Sequence, residues 1–324
     1  MADTVLIETR GLRKSFRSRD KTGVKTVEAV RGVDLTVGEG EIFGFLGPNG
    51  AGKTTTLRML ATLLTPDGGE ATVAGADLRR EPGEVRKRIG YVAQGGSTWD
   101  DSTAREELVL QARLYGLSKA EAEQRAARAL EAFQLTEYAD RRCKTYSGGQ
   151  RRRVDIALGI IHGPRLVFLD EPTTGLDPQS RAHMWDEIRR LRAEGMTVFL
   201  TTHYLDEADA LCDRLAIMDH GQIVAEGTPA ELKREISGDV LVVGLPAGAA
   251  ERASALLTNE SYVNRLETTE DGSLRLFVSD GATAIPQVLR ALDSGGIALT
   301  TVEMHRPSLD DVFLAKTGRS LRES

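Results

Sequence analysis

The succession of apolar segments predicts an α/β domain with a mostly parallel sheet, followed by a small α+β domain of ferredoxin-like type. Two observations carry this. Between residues 150 and 235, "RLVFLD", "TVFLTT" and "RLAIMD" read as buried strands alternating with amphipathic helices, the pattern of parallel α/β units. From residue 239 onward the order becomes strand, helix, strand, strand, helix, strand, which is that of a split βαβ unit.

Taken in chain order, residues 5 to about 97 read as short β-rich segments and turns, among them "TVLIE", "VRGVDLTV" and "EIFGFLG", with an exposed loop or hairpin over 18–26. Residues 98 to about 146 change to helical period: Leu108, Ala112 and Tyr115 share a face, and Ser118 with Glu121 spells a capping box. The helical subdomain is placed at about 98–150, and the first domain at 1–236. The break falls near Ile236-Ser237-Gly238-Asp239, and residues 239–324 form the second domain. There "VLVVGL", a helix over Ala249–Leu257, "YVNRLET", a turn at Glu270-Asp271-Gly272, "LRLFVS", a helix over Ile285–Leu292 and "ALTTVEM" follow one another. A last helix starts at Ser308, its N-cap, and buries Leu309, Val312 and Phe313.

Bulk composition narrows the possibilities. With 324 residues there is room for two domains, and 40% hydrophobic with 28% charged residues is ordinary for a globular chain. No apolar run approaches the ~18 residues that span a bilayer, and the first residues lack the pattern of a secretion signal. Cys143 and Cys212 have no metal or disulfide spacing, which points to a reducing cytoplasm. A net charge of −6 argues against nucleic acid as the main partner.

Three segments carry chemistry. In "EIFGFLGPNGAGKTTTLRML" an apolar strand runs into Gly47-Pro-Asn49-Gly50-Ala-Gly52-Lys53-Thr54-Thr55 and then a helix, a P-loop in its required context. Such glycines let backbone N–H groups close around phosphates, Lys53 reaches the β and γ oxygens, and the Thr54 hydroxyl suits Mg²⁺. "RLVFLDEPTTGLD" ends a strand in Asp170, placed to hold the Mg²⁺ shell, and Glu171, suited to act as general base on a water. "TYSGGQRRRVDIA" puts Ser147, Gly148, Gly149 and Gln150 at a helix start, a second place to hold an anion. Its arginines 151–153 read as a solvated or phosphate-attracting face. Asp206-Glu207-Ala208-Asp209 spells a helicase motif, but follows the wrong strand and reads as a solvated helix face.

With these three motifs in this order and spacing, residues 5 to about 235 resemble the nucleotide-binding subunit of an ABC transporter, with Tyr146 where the signature usually has Leu. The resemblance implies a P-loop NTPase fold with ATP and Mg²⁺ as ligands. It implies that Gln94 is the Q-loop glutamine near Mg²⁺ and water, Asp177 the D-loop residue, His203 the switch histidine at the γ-phosphate, and Phe16 the aromatic that stacks on adenine. Taken singly, Gln94 and His203 are polar residues at strand ends, Phe16 is a core residue and Asp177 a helix cap. The family sandwiches ATP between the P-loop of one subunit and the signature of another, which implies a homodimer.

The tail "RPSLDDVFLAKTG" resembles that of daunorubicin-resistance-type subunits, which energise drug efflux through an ABC-2-type membrane permease. That implies peripheral association with the cytoplasmic face of the membrane, with residues 95–107 and Trp99 as the docking surface; Trp99 packed internally is the alternative. A soluble ATPase of this type acting on ribosomes or DNA is a second reading. Against it stand the single cassette and the lack of a coiled-coil or zinc insertion between P-loop and signature.

Overall fold

A computed structural model of the chain describes residues 4–20, 23–236, 238–246, 248–269, 272–305 and 307–318. It divides into two compact units, Met1–Thr228 and Pro229–Glu323.

In the first unit, β1 (Val5–Asp20) and β2 (Gly23–Gly38) form a long antiparallel hairpin. The segment expected as a loop or hairpin over 18–26 is the outer end of this ladder; Lys21 and Thr22 lie outside the described residues. The other edge of β1 pairs with β4 (Gly68–Val73), which turns back onto β5 (Ala76–Asp77).

The second sheet is built from β3 (Ile42–Leu46), β6 (Ile89–Val92), β7 (Leu166–Asp170), β8 (Thr197–Thr202), β9 (Arg214–Asp219) and β10 (Gln222–Gly227), in the order β10-β9-β3-β8-β7-β6. All pairs are parallel except β9 with β10. Every residue of β3, β7 and β8 is buried, as a parallel sheet covered on both faces requires. Phe43, Phe45, Phe168 and Phe199 meet at its centre, with Phe45 and Phe199 edge to face at 4.9 Å. One apolar core joins both sheets with α1 (Lys53–Leu60) and α2 (Pro82–Arg88).

The helical region contains α3 (Ala104–Leu114), α4 (Lys119–Ala132) and α5 (Gly148–Ile160). Capping boxes start each of them, at Thr103 with Glu106, Ser118 with Glu121 and Ser147 with Gln150. Leu108 and Ala112 are buried, whereas Tyr115 ends the helix half out of the core and stacks on His162 at 3.7 Å. Helices α6 (Pro178–Ala193) and α7 (Leu205–Leu211) follow β7 and β8. The two cysteines are free and buried; burial pushes the Cys143 thiol to about 11 and that of Cys212 well above the ordinary value.

The second unit starts earlier than expected, at Pro229, because α8 (Pro229–Ile236) packs on α11 (Leu309–Thr317) and buries Leu232. Ser237, in the expected break, lies outside the described residues. Between these helices run β11 (Val240–Gly244), α9 (Ala250–Leu257), β12 (Val263–Thr268), β13 (Leu274–Val278), α10 (Gly281–Ser294) and β14 (Thr301–His305). The antiparallel order β12-β13-β11-β14 is the ferredoxin-like arrangement. Glu270 and Asp271 of the expected turn lie outside the described residues, but Thr269 and Ser273 close the hairpin by a backbone hydrogen bond of 2.9 Å. Ser308 caps α11 with Asp311 in a capping box, and Leu309, Val312 and Phe313 are buried.

One close approach fixes the helical region on the sheet. A Cβ on Gly90 of β6 would lie 2.2 Å from the carbonyl oxygen of Gly159 on α5, and one on Gly159 would lie 2.7 Å from the side chain of Val92. The Gly90 contact is with main chain, which has no flexible end to move away. Gly90→Ala is therefore expected to cost about 2–3 kcal/mol, as overpacking does, read as a lower urea midpoint.

Candidate active site

The register of the parallel strands decides which residues meet. Leu46 of β3 lies opposite Thr202 of β8, Asp170 of β7 opposite Thr201 of β8, and Val92 of β6 opposite Leu169 of β7. The carboxyl ends of the four strands therefore fall within two residues of one another. Gly47, His203, Glu171 and Gln94, which follow those ends, share one edge of the sheet, the usual place for a ligand in an open α/β sheet.

The turn after β3 is shaped by close backbone contact. A Cβ on Gly47 would meet the Met218 carbonyl at 2.3 Å, and one on Gly52 the Ala29 carbonyl at 2.4 Å; Gly52 also has φ +105°. Gly52 caps α1 without a side-chain acceptor, so the first N–H groups of that helix face the cleft free of a side-chain partner. Lys53 is buried and folds back on the loop, its Nζ donating to the carbonyls of Gly47 (2.6 Å) and Pro48 (3.0 Å). Burial lowers the Lys53 pKa, while Glu171 (3.9 Å away) and Asp170 oppose the shift. Asn49, Gly50, Gly52, Lys53, Thr54 and Thr55 line a cleft of about 520 Å³ with Phe16, Gln94 and Glu171. Val27, Ala29, Arg31 and His220 line it too, and sequence reasoning missed them. The signal lay in the strand pairing, since Phe16 sits opposite Val27 on the hairpin and both are about half exposed.

Acidic residues face the loop. Asp170 Oδ1 accepts from Thr54 Oγ1 (2.9 Å) and Thr201 Oγ1 (2.8 Å), while its buried Oδ2 has no hydrogen-bond partner. Glu171 is buried yet takes φ +45°, a left-handed conformation that costs a non-glycine residue about 1–3 kcal/mol. Its N–H donates to Thr201 Oγ1 (3.0 Å), and its Oε2 accepts from Gln94 Nε2 (2.8 Å) and Thr174 Oγ1 (3.0 Å). His203 Nδ1 lies 3.3 Å from the same oxygen but outside hydrogen-bond alignment.

The remaining expected residues lie elsewhere. Ser147 and Gly148 are exposed at the start of α5, and none of Ser147, Gly148, Gly149 and Gln150 lines the cleft beside Lys53. Tyr146 is buried, its ring edge-on to Tyr138 and its hydroxyl donating to the Tyr138 carbonyl. Asp177 is exposed and caps α6, accepting from Ser180 N (2.9 Å) and Ser180 Oγ (2.6 Å). Trp99 is 75% exposed, so the internally packed alternative falls away. Its loop is pinned from beneath: Asp155 on α5 accepts from Ser97 N and Thr98 N, and Glu107 on α3 from Trp99 N.

Two expectations about charges are corrected. Arg152 is no part of a solvated face; it is buried, because the α5 face it shares with Ile156 and Gly159 turns toward the sheet. That helical period is the signal that was available. Asp206 and Asp209 are exposed, but Glu207 between them is fully buried, accepting from Thr173 Oγ1 (2.7 Å) and Trp185 Nε1 (3.1 Å).

The ABC transporter family matches residues 30–174, and the family described as "ATP-binding protein DrrA1-3-like, C-terminal domain" matches residues 227–317. The daunorubicin/doxorubicin resistance ATP-binding protein of Streptomyces peucetius is 46% identical over 97% of this chain and 93% of its own length. The chain belongs to the ABC transporter ATP-binding subunits, with a DrrA-like C-terminal domain. The linearmycin resistance ATP-binding protein of Bacillus subtilis is 35% identical over 98% of this chain and its whole length. Among solved structures, a dimeric ATP-binding cassette in a post-hydrolysis state, bound to ADP and phosphate, aligns with TM-score 0.62 and 25% identity over 68% of this chain and 98% of that one. The chain is thus an ATPase subunit of a transporter, and among the described residues no helix is long and apolar enough to cross a membrane.

Two outcomes are expected from this geometry. Lys53→Ala removes the cation from the phosphate loop and should lower ATP turnover by about 10²–10³-fold in a phosphate-release assay. Burial, opposed by Thr202, Thr173, Trp185 and Arg181, raises the Glu207 pKa. The native state then holds a proton that the unfolded chain has released, so stability falls as pH climbs from the ordinary carboxylate range toward the raised value. Urea midpoints of Glu207→Gln across that window should lack this part of the slope.

Proposed function

We propose that the subunit hydrolyses ATP as one half of a homodimer and energises export of a drug, antibiotic or lipid-like compound through an ABC-2-type permease, at the cytoplasmic face of the membrane. Two anion-ready surfaces that do not meet within one chain carry this reading. The loop at Gly47–Thr55 opens into a cleft beside Glu171, while Ser147–Gln150 lies outside it, with Ser147 and Gly148 exposed. A second copy supplying Ser147–Gln150 completes the site.

In this reading the phosphates of ATP lie over the N-terminus of α1 with Lys53 on the β and γ oxygens, and adenine lies against Phe16 on the hairpin. The lone Oδ2 of Asp170 beside the Thr54 hydroxyl suits a divalent cation, with Gln94 on the other side; bound Mg²⁺ supplies charge neutralisation at the phosphates. Glu171 takes a proton from the attacking water as its oxygen bonds to the γ-phosphorus, and the bond to the β-phosphate oxygen breaks to release ADP. Gln94 and Thr174 aim the carboxylate, and His203 stands beside it at the γ-phosphate position. Asp177 sits at the dimer seam. The exposed Trp99 on its pinned loop is the proposed contact with the permease.

The transported class follows the resistance names of the two relatives above, and the permease sets the choice among compounds. The C-terminal unit serves pairing and coupling rather than chemistry.

Glu171→Gln should lower turnover by roughly 10²–10⁴-fold while ATP binding survives, trapping two chains around unhydrolysed ATP. Adding Ser147→Arg places bulk where the γ-phosphate must lie and should return the chain to monomer. Size-exclusion chromatography with ATP reads both. A monomeric Glu171→Gln chain, or a double variant that stays dimeric, contradicts the shared site.

A further inference from the structure

The guanidinium of Arg152 is surrounded by main-chain carbonyls at the ends of two strands. Nη1 donates to Ala93 O (2.6 Å), Nε to Pro172 O (2.9 Å) and Nη2 to Asp170 O (3.1 Å). Its neighbours in the arginine run face other groups: Arg151 bonds Thr98 and Asp100, and Arg153 the Phe133 carbonyl. Burial works against the Arg152 charge, with Asp155, Asp170 and Glu207 working for it. Arginine keeps its proton even so, and its flat fork can serve acceptors in several directions where an ammonium cannot.

The identity of the acceptors matters. Asp170 and Pro172 flank Glu171, the buried residue with φ +45°. Ala93 immediately precedes Gln94, whose amide donates to the Glu171 carboxylate. One planar cation therefore grips the chain on both sides of the strained residue and at the root of the side chain that aims it. Arg152 does not line the cleft beside Lys53; it borders the neighbouring one with Gln94, Gly148 and Thr174, and its bonds are to the chain around Glu171 and Gln94.

We propose that Arg152 is a positioning residue for ATP hydrolysis: it holds the Glu171 main chain in its left-handed turn and sets the spacing of Gln94 and Glu171. This rests on Glu171 acting as the general base. Thr201 secures the same turn from the other side, accepting from the Glu171 N–H, but it makes no bond to the Gln94 strand end among those described. Arg152 links the two.

Single-turnover hydrolysis of radiolabelled ATP by the full-length chain tests this with Arg152→Met, Glu171→Gln and the double variant. Arg152→Met should slow the chemical step by about 10²-fold, as a misplaced group does, with half-saturating ATP within about threefold of wild type. In the double variant the loss should equal that of Glu171→Gln alone, because the positioned carboxylate is already gone. Losses that multiply, or a binding defect with an unchanged rate, overturn the proposal. A Glu171→Gln chain of wild-type rate removes the base and the proposal with it, and that outcome is recognised from the single variant. Should Arg152→Met fail to fold, Arg152→Lys keeps length and charge but cannot span the three carbonyls; it should show the same non-additivity with a smaller loss.

Discussion

Four parallel strands ending in register are the constraint on which this subunit depends. Because Leu46, Thr202, Asp170 and Val92 close their strands within two residues of one another in the ladder, the residues that follow arrive together without any long-range search. The register is itself a packing result. Fully buried strands with a phenylalanine cluster at their centre cannot slip by one residue without exchanging apolar side chains for the opposite face. Core and site are therefore one design, and the polar groups at the strand ends are held by the same hydrogen-bond ladder that builds the sheet.

The site also shows how strain and charge are accommodated. Lys53, Asp170 and Glu171 are all buried, and each has specific partners: loop carbonyls, threonine hydroxyls, and the Gln94 and Thr174 donors. Buried polar groups are costly unless paired, so the lone Oδ2 of Asp170 stands out against this background. The left-handed turn at Glu171 belongs to the same scheme, since Thr201 satisfies its N–H while orienting Asp170. Helix α5 then serves two ends, presenting Ser147 to solvent and Arg152 to the interior.

Much of this was legible in the residues. Continuous apolar runs announced β7, β8 and β9, and the Ser118 and Ser308 boxes fixed two helix starts, because capping is local chemistry written in four residues. The C-terminal strand and helix order was legible for the same reason. What escaped notice depended on partners distant in sequence. "GGEATV" and "QIVAEG" are too polar to read as strands until β1 and β9 lie beside them. A charge run hides which member turns inward, as Arg152 and Glu207 do, until the helical period is weighed against a neighbouring sheet. The division at Pro229 rather than near residue 237 follows from α8 packing on α11, more than seventy residues later in the chain.

The burial of the two thiols has an experimental consequence. Both stay protonated and out of solvent at neutral pH, so neither reacts with alkylating reagents while its surroundings hold together. Cys143 sits in the helical region and Cys212 against β3, where the Gly44 backbone faces it. The native chain thus carries two internal clocks for local opening. The rate at which each sulfur becomes modified reports how often its own region breathes, with no label introduced and no change to the surface.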